Sequence, residues 1–404
     1  MTAPEKHPAI ILTLSPTGLA VARALGERGV RVYGIDNNRS EVGHFSRWVK
    51  RAPEIGHLPP GEKLLDGLCR LAKSLPCAPV LYVAGDPYID FVCQYHEELR
   101  AHCILPGSMC PEIASLFLNK ESFYRRCQDL GIAMPSTFFP RTLEDAEEAA
   151  KKLRYPAIVK PTHGHLFRKK LEGRKLIEVG NSGDLVAWWQ RFQGWGGDSV
   201  LQEIIPGPES NIFVAAVYSN AEAKTHTLFT AHKVRQYPPV YGSGSYMESR
   251  WSEEIATLSK EIIESLEYPG ICGTEFKWDA RDGQWKLIEI NPRPTLWFDL
   301  VRASGVPLFW NAHSDLSGNA VPPTLGSQKD GVRWQLLARD LASAMHFIAK
   351  GDLSVLELFS KVLNPKGKNY AATAFSDPGT LIGAPLNIAT KLFTHRGEDK
   401  ECGE

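Results

Sequence analysis

The segment from Cys272 to Pro294 constrains the fold more than any other part of the chain. Asp282-Gly283 is a hairpin turn signal between two runs of alternating residues. Because such a turn joins two antiparallel strands, Glu275 on the first strand is expected to lie close to Glu289 on the second. The sequence therefore predicts a hairpin with two acidic side chains facing each other.

The polar face of this hairpin predicts a metal site. Glu289, Asn291 and Arg293 are spaced by two and therefore share one strand face. Two carboxylates and an amide oxygen are hard donors, which hold Mg²⁺ when phosphate oxygens complete its coordination. Arg293 could stabilise the charge of a phosphoryl group in transfer. The alternative is a pair of strands with solvated polar faces, and the two acids across a tight turn favour the metal.

Phosphate ligands are expected upstream of the hairpin. Lys160 lies inside a short apolar strand, Tyr155 to Pro161, and the residues after it could fold over a polyphosphate. The strand that begins at Leu201 ends in a Pro and Gly turn, where its main chain could bind an adenine edge and Glu209 a ribose. Each signal alone is weak, because most such lysines only extend their ammonium groups to the surface at a strand end.

The chain begins with a different pattern. A buried strand, a helix after Gly18 and a second strand ending at Asp36 form a βαβ unit with a parallel sheet. The turn from Ser15 to Gly18 offers one glycine where a dinucleotide-binding turn has three. An NAD site is therefore disfavoured, and Asp36 is expected to terminate its strand. A further strand from Pro79 to Ala84 continues the alternation.

The composition disfavours several classes of protein. The chain has 46 Lys plus Arg and 46 Asp plus Glu, so its formal net charge is zero and no global field would gather nucleic acid or a membrane surface. No stretch reaches the roughly 18 apolar residues of a spanning helix. The eight cysteines form no Cys-x-x-Cys pair, so neither a zinc ribbon nor a disulfide framework is expected. Such cysteine usage is typical of a reducing compartment, and we expect a cytoplasmic location.

Four motifs occur in an informative order along the chain. They are Lys120 in Leu-Asn-Lys-Glu-Ser-Phe, Lys160 in Tyr-Pro-Ala-Ile-Val-Lys-Pro, residues 202–209 and residues 275–293. Together they resemble the ATP-grasp superfamily. With residues 232–239, the turn 242–245 and the strand 275–279 added, the chain most resembles the carboxylate-amine ligase branch that includes D-aspartate ligase. The resemblance implies an ATP-grasp fold of α/β and α+β layers. Its three parts would be a Rossmann-like pre-ATP-grasp domain over residues 1–115, an ATP-grasp domain over 116–320, and a helical C-terminal extension with a disordered tail over 321–404.

The resemblance also implies roles for individual residues. Lys120 and Lys160 would contact the ATP phosphates, and Glu209 would bind the ribose hydroxyls. The strand that contacts adenine would contain Gln202, Glu203, Ile204 and Ile205. The ligands of Mg²⁺, for which Mn²⁺ could substitute, would be Glu275, Glu289 and Asn291, and Arg293 would stabilise the transferred phosphoryl group.

The implied reaction forms an amide from a small-molecule carboxylate and an amine. The carboxylate attacks the γ-phosphate of ATP to give an acylphosphate and ADP, and the amine then displaces phosphate. No protein nucleophile is required. Two other classes stay open at this stage: an ATP-dependent small-molecule kinase, and a non-catalytic nucleotide-binding regulatory protein. The sequence also leaves a homodimer open.

Further residues are candidates on the substrate side. Arg235, in a predicted loop before two prolines, could grip a substrate carboxylate with its planar fork, and a surface ion pair is the equal alternative. Arg302, on a predicted helix, is a similar candidate. The candidate bases toward the amine are His163, His165 and His232, and the basic stretch 164–175 could close over ATP to exclude water.

Overall fold

A computed structural model describes residues 6–52, 54–162, 167, 170–172, 174–363 and 368–387. The N-terminal part is a parallel α/β unit. Its elements are β1 (Ala9–Leu12), α1 (Pro16–Gly26), β2 (Val32–Ile35), β3 (Val49–Lys50), α2 (Glu62–Ser74), β4 (Val80–Val83), α3 (Asp86–Gln94) and α4 (His96–Arg100). The four strands lie in the order β3-β2-β1-β4 and are parallel. The sequence predicts the parallel sheet and three of its strands, but not the two-residue strand β3. Every residue of β1 and β4 is buried, because a parallel sheet packs on both faces.

Two contacts at the carboxyl edge of this sheet explain the local sequence. A Cβ on Gly18 would lie 1.9 Å from the carbonyl oxygen of Thr13, so only glycine lets α1 approach β1 this closely. The Asp36 carboxylate accepts the main-chain N–H groups of Leu14 at 2.7 Å and Asn38 at 2.8 Å. Asp36 therefore ties the end of β2 to the end of β1, in agreement with its predicted strand-terminating role.

The chain then forms a small antiparallel sheet accompanied by four helices. The elements are α5 (Pro111–Leu118), α6 (Lys120–Asp129), β5 (Thr137–Phe138), α7 (Leu143–Lys152), β6 (Ala157–Pro161), β7 (Ile177–Val179), α8 (Ser182–Gly194) and β8 (Ser199–Glu203). The strand order is β5-β8-β6-β7. Thr142 caps the start of helix α7, where its side chain accepts the N–H of Asp145 at 3.1 Å in a capping box. Apolar side chains such as Leu185, Phe192 and Leu201 fill the core of this unit.

A large antiparallel sheet follows. Its elements and the helices beside them are β9 (Ile212–Ser219), β10 (Thr225–Tyr237), β11 (Ser243–Ser249), α9 (Glu253–Ser265), β12 (Gly270–Asp279), β13 (Gln284–Asn291), α10 (Asp299–Ala303) and α11 (Leu308–Leu316). These strands lie in the order β13-β12-β9-β10-β11. Strands β12 and β13 form the predicted hairpin, and Gly283 has a φ of +67° at its turn.

The C-terminal part contributes strands as well as helices. Its elements are β14 (Thr324–Leu325), β15 (Arg333–Gln335), α12 (Leu337–Lys350), α13 (Val355–Glu357), β16 (Lys368–Tyr370) and a last helix over 379–387. Strand β14 pairs with β10, β15 pairs with β11, and β16 pairs with β15, so all three extend the large sheet. A helical extension is predicted from the sequence, but the last helix and these strands are not. Two or three residues are too few to show a period of two. The predicted disordered end, 396–404, lies outside the described residues.

The C-terminal part also packs against the N-terminal sheet through a buried arginine. Arg23 on α1 donates to the carbonyl of Ala371 at 3.1 Å and lies 3.5 Å from the carboxylates of both Asp299 and Asp377. The Asp377 carboxylate also accepts the hydroxyl of Ser46 at 2.7 Å. These contacts join the two ends of the described chain. Within the part that the structure describes, no helix combines the length and apolar character needed to cross a bilayer.

Candidate active site

The two acids of the hairpin face each other as predicted. Glu275 on β12 is the direct cross-strand partner of Glu289 on β13, and Asn291 lies opposite Gly273, two positions along the ladder. A register shift between Glu275 and Phe276 interrupts the ladder immediately after the acid pair. Two carboxylates and an amide oxygen therefore lie on one sheet surface.

A lysine that sequence analysis missed contacts one of these acids. Lys233 on β10 is 1% exposed, and its Nζ lies 2.7 Å from Oε1 of Glu275 and 3.2 Å from Oε1 of Gln236. The available signal was a lysine inside a long, mostly buried strand, the same signal that identified Lys160. The pairing itself was not visible in the sequence, because β9 lies between β10 and β12.

Lys160 is held in a buried polar pocket. Its Nζ donates to the hydroxyl of Tyr124 at 2.7 Å and to Oε1 of Gln202 at 2.9 Å. Gln202 donates in turn to the hydroxyl of Thr137 at 2.7 Å. Burial lowers the pKa of Lys160 to about 8, against the opposing effect of Glu289. The side chain of Gln202 thus orients the lysine. The adenine contact expected for this residue stays a prediction.

Glu289 is surrounded by positive charge. Burial alone would raise the pKa of its carboxyl group, but four cations reverse the direction and hold that pKa below its ordinary value: Lys120, Lys175, Lys160 and Arg293. Lys120 begins helix α6, and its main-chain N–H donates to Thr162 at 3.3 Å. This concentration of cations around a single ionised acid suits an anion with several charges, such as a triphosphate.

Two of the residues predicted to contact adenine and ribose already form hydrogen bonds or ion pairs with other protein groups. Glu203 forms an ion pair with Arg281 at 3.0 Å and accepts the main-chain N–H of Ser136 at 3.0 Å. Its side chain is therefore fixed, and a contact with adenine would come from the main chain where β8 ends, at Ile204 and Ile205. Both carboxylate oxygens of Glu209 accept main-chain N–H groups, which a ribose hydroxyl would have to share: Gln236 at 3.0 Å and Val240 at 2.7 Å.

Arg293 connects the acid pair to the N-terminal sheet. Its Nε donates to the carboxylate of Asp86, the first residue of α3, and its Nη1 donates to the carbonyl of Pro294 at 3.2 Å. Burial lowers the pKa of Arg293, but Asp86 and Glu289 outweigh that effect and raise it. The guanidinium is therefore a fixed positive charge beside Glu289.

The two arginines predicted to face the substrate both pair with acidic side chains of the protein. The prediction that Arg235 lies in a loop is wrong, because this residue is in strand β10 and is 7% exposed. Its guanidinium donates two hydrogen bonds of 2.8 Å to the carboxylate of Asp340. The fork is thus neither open to a substrate nor in a surface pair. Arg302 likewise pairs with Asp299 at 2.7 Å and with Glu27 at 3.1 Å, facing α1.

The predicted bases and loop are described only in part. His232 lies 2.9 Å from the carbonyl of Ser210, and burial lowers its pKa, which favours the neutral ring. His163, His165 and most of the 164–175 stretch lie outside the described residues.

A family model of the ATP-grasp domain matches residues 117–296. These residues form an ATP-grasp domain. The match contains the acid pair, Lys120, Lys160 and Arg293, and it confirms the fold that the four motifs predict.

Proteins similar in sequence to this chain include amino acid ligases. D-aspartate ligase of Enterococcus faecium is 29% identical over 227 residues, which are 53% of this chain and 53% of that protein. The chain thus spans about half the length of that relative. D-alanine--D-alanine ligase of Stutzerimonas stutzeri is 24% identical over 288 residues, which are 69% of this chain and 79% of that protein.

Solved structures share the fold of this chain. An N5-carboxyaminoimidazole ribonucleotide synthetase in complex with ADP has a TM-score of 0.62 at 17% identity, covering 80% of this chain and 81% of that one. The biotin carboxylase domain of the Hydrogenobacter thermophilus 2-oxoglutarate carboxylase, with MgADP, has a TM-score of 0.61 at 14% identity, covering 81% and 73%. At these identities the likeness concerns the fold.

The donor set of the ATP-grasp domain fits a divalent cation that arrives with phosphate. Within the described ranges, no group of three or more His, Cys, Asp or Glu side chains could hold a metal alone. Two carboxylates and the Asn291 amide do share one sheet surface, and the cations around Glu289 would attract phosphate oxygens, which could serve as further ligands. Mg²⁺ is commonly bound in this way, through one or two carboxylates and substrate phosphates.

Proposed function

We propose that the protein is an ATP-dependent carboxylate-amine ligase that forms an amide through an acylphosphate and releases ADP and phosphate. The observation that carries the proposal is the cross-strand acid pair Glu275 and Glu289 on one sheet surface, with a cluster of cations around Glu289. The names of the relatives, D-aspartate ligase and D-alanine--D-alanine ligase, support this reaction class and support amino acids as substrates.

Each residue of the cluster has a separate task in the proposal. Lys120 and Lys160 bind the phosphates of ATP, and Tyr124 and Gln202 aim the Lys160 ammonium. The main chain after Glu203 contacts adenine, and Glu209 contacts the ribose. Glu275, Glu289 and Asn291 hold Mg²⁺, which when bound neutralises charge on the phosphate oxygens.

Arg293 stabilises the phosphoryl group as it moves to the substrate carboxylate. Its contact with Asp86 keeps the guanidinium in one orientation before substrate arrives, so that little reorganisation is needed during transfer. The amine then attacks the carbonyl carbon of the acylphosphate, the carbon–oxygen bond to phosphate breaks, and free phosphate leaves.

Three finer points belong to the same proposal. Mn²⁺ can substitute for Mg²⁺, because both ions accept carboxylate, amide and phosphate oxygens. The cytoplasm is the proposed location, which agrees with the lack of disulfide bonds among the cysteines of the described ranges. The proposed assembly is a homodimer, and the structurally similar biotin carboxylase domain, which is a dimer, supports it.

Phosphate release in mixtures of acids and amines tests the reaction class. A ligase releases ADP and free phosphate only when both an acid and an amine are present, and mass spectrometry then detects an amide. A kinase would release ADP with one acceptor and leave the phosphate on it. A regulatory protein would bind ATP without phosphate release in any mixture.

A further inference from the structure

A fully buried carboxylate ties the C-terminal part of the chain to β10. Asp340 on α12 has no exposed surface, and it accepts Nε and Nη2 of Arg235 at 2.8 Å each. Gln335 and the hydroxyl of Ser245 donate to the same carboxylate. The Arg235 guanidinium also lies 4.8 Å from the centre of the Tyr246 ring. A buried pair with this many partners fixes the relative position of both backbones.

A second bond from the same helix reaches the next residue of β10. Ser343, three residues after Asp340 and therefore on the same helix face, donates to the carbonyl of Gln236 at 2.8 Å. Helix α12 thus holds Arg235 by its side chain and Gln236 by its main chain. Both contacts come from beyond residue 296, where the match to the ATP-grasp domain ends.

The end of β10 needs such support because its backbone is irregular. Its pairing with β11 shifts register between Lys233 and Arg235 and again between Arg235 and Gln236. A bulged strand loses ladder hydrogen bonds and turns its side chains in new directions. The direction of Lys233 therefore depends on contacts outside the ladder.

The residues held in this way contact the proposed nucleotide site. Lys233 places its ammonium on Glu275, and Gln236 accepts from that ammonium at 3.2 Å. The main-chain N–H groups of Gln236 and Val240 hold the two oxygens of Glu209. A shift of the segment 233–240 would move both the metal end and the ribose end of the site.

We propose that α12 is part of the ATP site and that Asp340 is a positioning residue that acts through Arg235. By holding Arg235, Asp340 fixes the segment 233–240 and with it the orientations of Lys233 and Glu209. Arg235 accordingly connects strand β10 to helix α12. This inference rests on the proposed nucleotide site, but it does not depend on the identity of the acid or the amine.

Calorimetric titration of the full chain with MgATP tests the inference. Asp340→Asn keeps the shape of the side chain and removes its charge, and it is expected to raise the dissociation constant for MgATP by roughly tenfold. Ser343→Ala removes one bond and is expected to raise it by about threefold. The matched control is Asp352→Asn, an exposed carboxylate just beyond the end of α12, which is expected to leave the constant unchanged.

A double variant separates positioning from direct contact with substrate. In Arg235→Met with Asp340→Leu, two apolar side chains replace the buried charges, and such exchanges often preserve packing. If the pair only positions β10, the double variant recovers ATP affinity relative to Asp340→Asn. If Arg235 itself binds substrate, Asp340→Asn and the double variant both bind MgATP like the wild type, while the KM for the acid rises.

The outcomes separate failure of the inference from failure of the proposed function. If the wild type gives no heat with MgATP, the proposed function fails. If the wild type binds and Asp340→Asn binds within twofold of it, the positioning role of Asp340 is contradicted. Circular dichroism and thermal melting monitor folding. If Asp340→Asn does not fold, Ser343→Ala decides, and unchanged affinity in that variant overturns the inference.

Discussion

The ammonium of Lys233 lies 2.7 Å from the carboxylate of Glu275, inside the acid pair that is proposed to hold Mg²⁺. Two carboxylates directly opposite each other on neighbouring strands repel, and the ammonium offsets one of the two charges. The same contact makes the lysine a competitor of any divalent cation at Glu275. The site is therefore matched to a metal that brings phosphate with it.

Removal of the Lys233 ammonium is expected to separate these two effects. In Lys233→Met, free Mg²⁺ should bind more tightly without nucleotide, because its competitor at Glu275 is gone, while turnover should fall by about a hundredfold. Calorimetry with MgCl₂ alone and steady-state phosphate release measure the two quantities. Lys260→Met, an exposed lysine on α9, is the control and should change neither. Weaker Mg²⁺ binding in Lys233→Met would contradict the competition.

The lowered pKa of Lys160 predicts that ATP affinity depends on pH. Because burial lowers its pKa to about 8, the ammonium loses its proton as the pH rises through that value, and the dissociation constant for ATP should rise between about pH 7 and about pH 9. ATP affinity measured across this range in the wild type and in Lys160→Met checks the assignment. The variant should bind weakly with a flatter profile, and an unchanged profile in the variant would assign the titration to another group.

The contribution of Lys160 to protein stability should increase with pH, whereas its contribution to ATP affinity should decrease. The pKa of Lys160 is lower in the folded state than in the unfolded chain, so the unfolded chain binds more protons between the two values. The contribution of Lys160 to the free energy of unfolding therefore rises with pH in this window. Urea unfolding at each pH measures that contribution and distinguishes loss of affinity from loss of structure.

Asp86 is expected to affect chemistry more than nucleotide binding. Asp86→Asn removes the charge that orients Arg293, and the guanidinium would then have to reorganise during phosphoryl transfer. We expect kcat to fall by about tenfold or more with little change in the dissociation constant for MgATP. Asp66→Asn, an exposed acid on α2, is the matched control. Equal losses in kcat and in MgATP affinity would place Arg293 in ground-state binding instead.

The substitution Gly18→Ala tests whether helix α1 approaches strand β1 as closely as the structure shows. In Gly18→Ala the new Cβ would meet the carbonyl oxygen of Thr13, and the clash should lower the free energy of unfolding by about 1–3 kcal/mol or more. Gly180→Ala is the control, because nothing lies within 4 Å of a Cβ at that position. Urea midpoints of the two variants compare the costs. Equal stability of Gly18→Ala and the wild type would show that α1 does not approach β1 this closely.

Local patterns predicted some parts of the site and long-range pairing decided the rest. The cross-strand position of Glu275 and Glu289 followed from turn chemistry and the period of two, both of which act within a few residues. The partner of Arg235 could not be predicted, since Asp340 lies 105 residues further along the chain. Lys233 was missed for the same reason, because its partner Glu275 lies on a strand that is not adjacent in the sheet.

We expect this sheet surface to bind MgATP through its acid pair and the cations around it. Calorimetric titration of the wild type and of Glu289→Gln with MgATP measures this binding, with Glu261→Gln, an exposed acid on α9, as control. Saturable binding is expected for the wild type and the control, and affinity at least about tenfold weaker in Glu289→Gln. No heat with the wild type, or equal affinity in all three proteins, would contradict it.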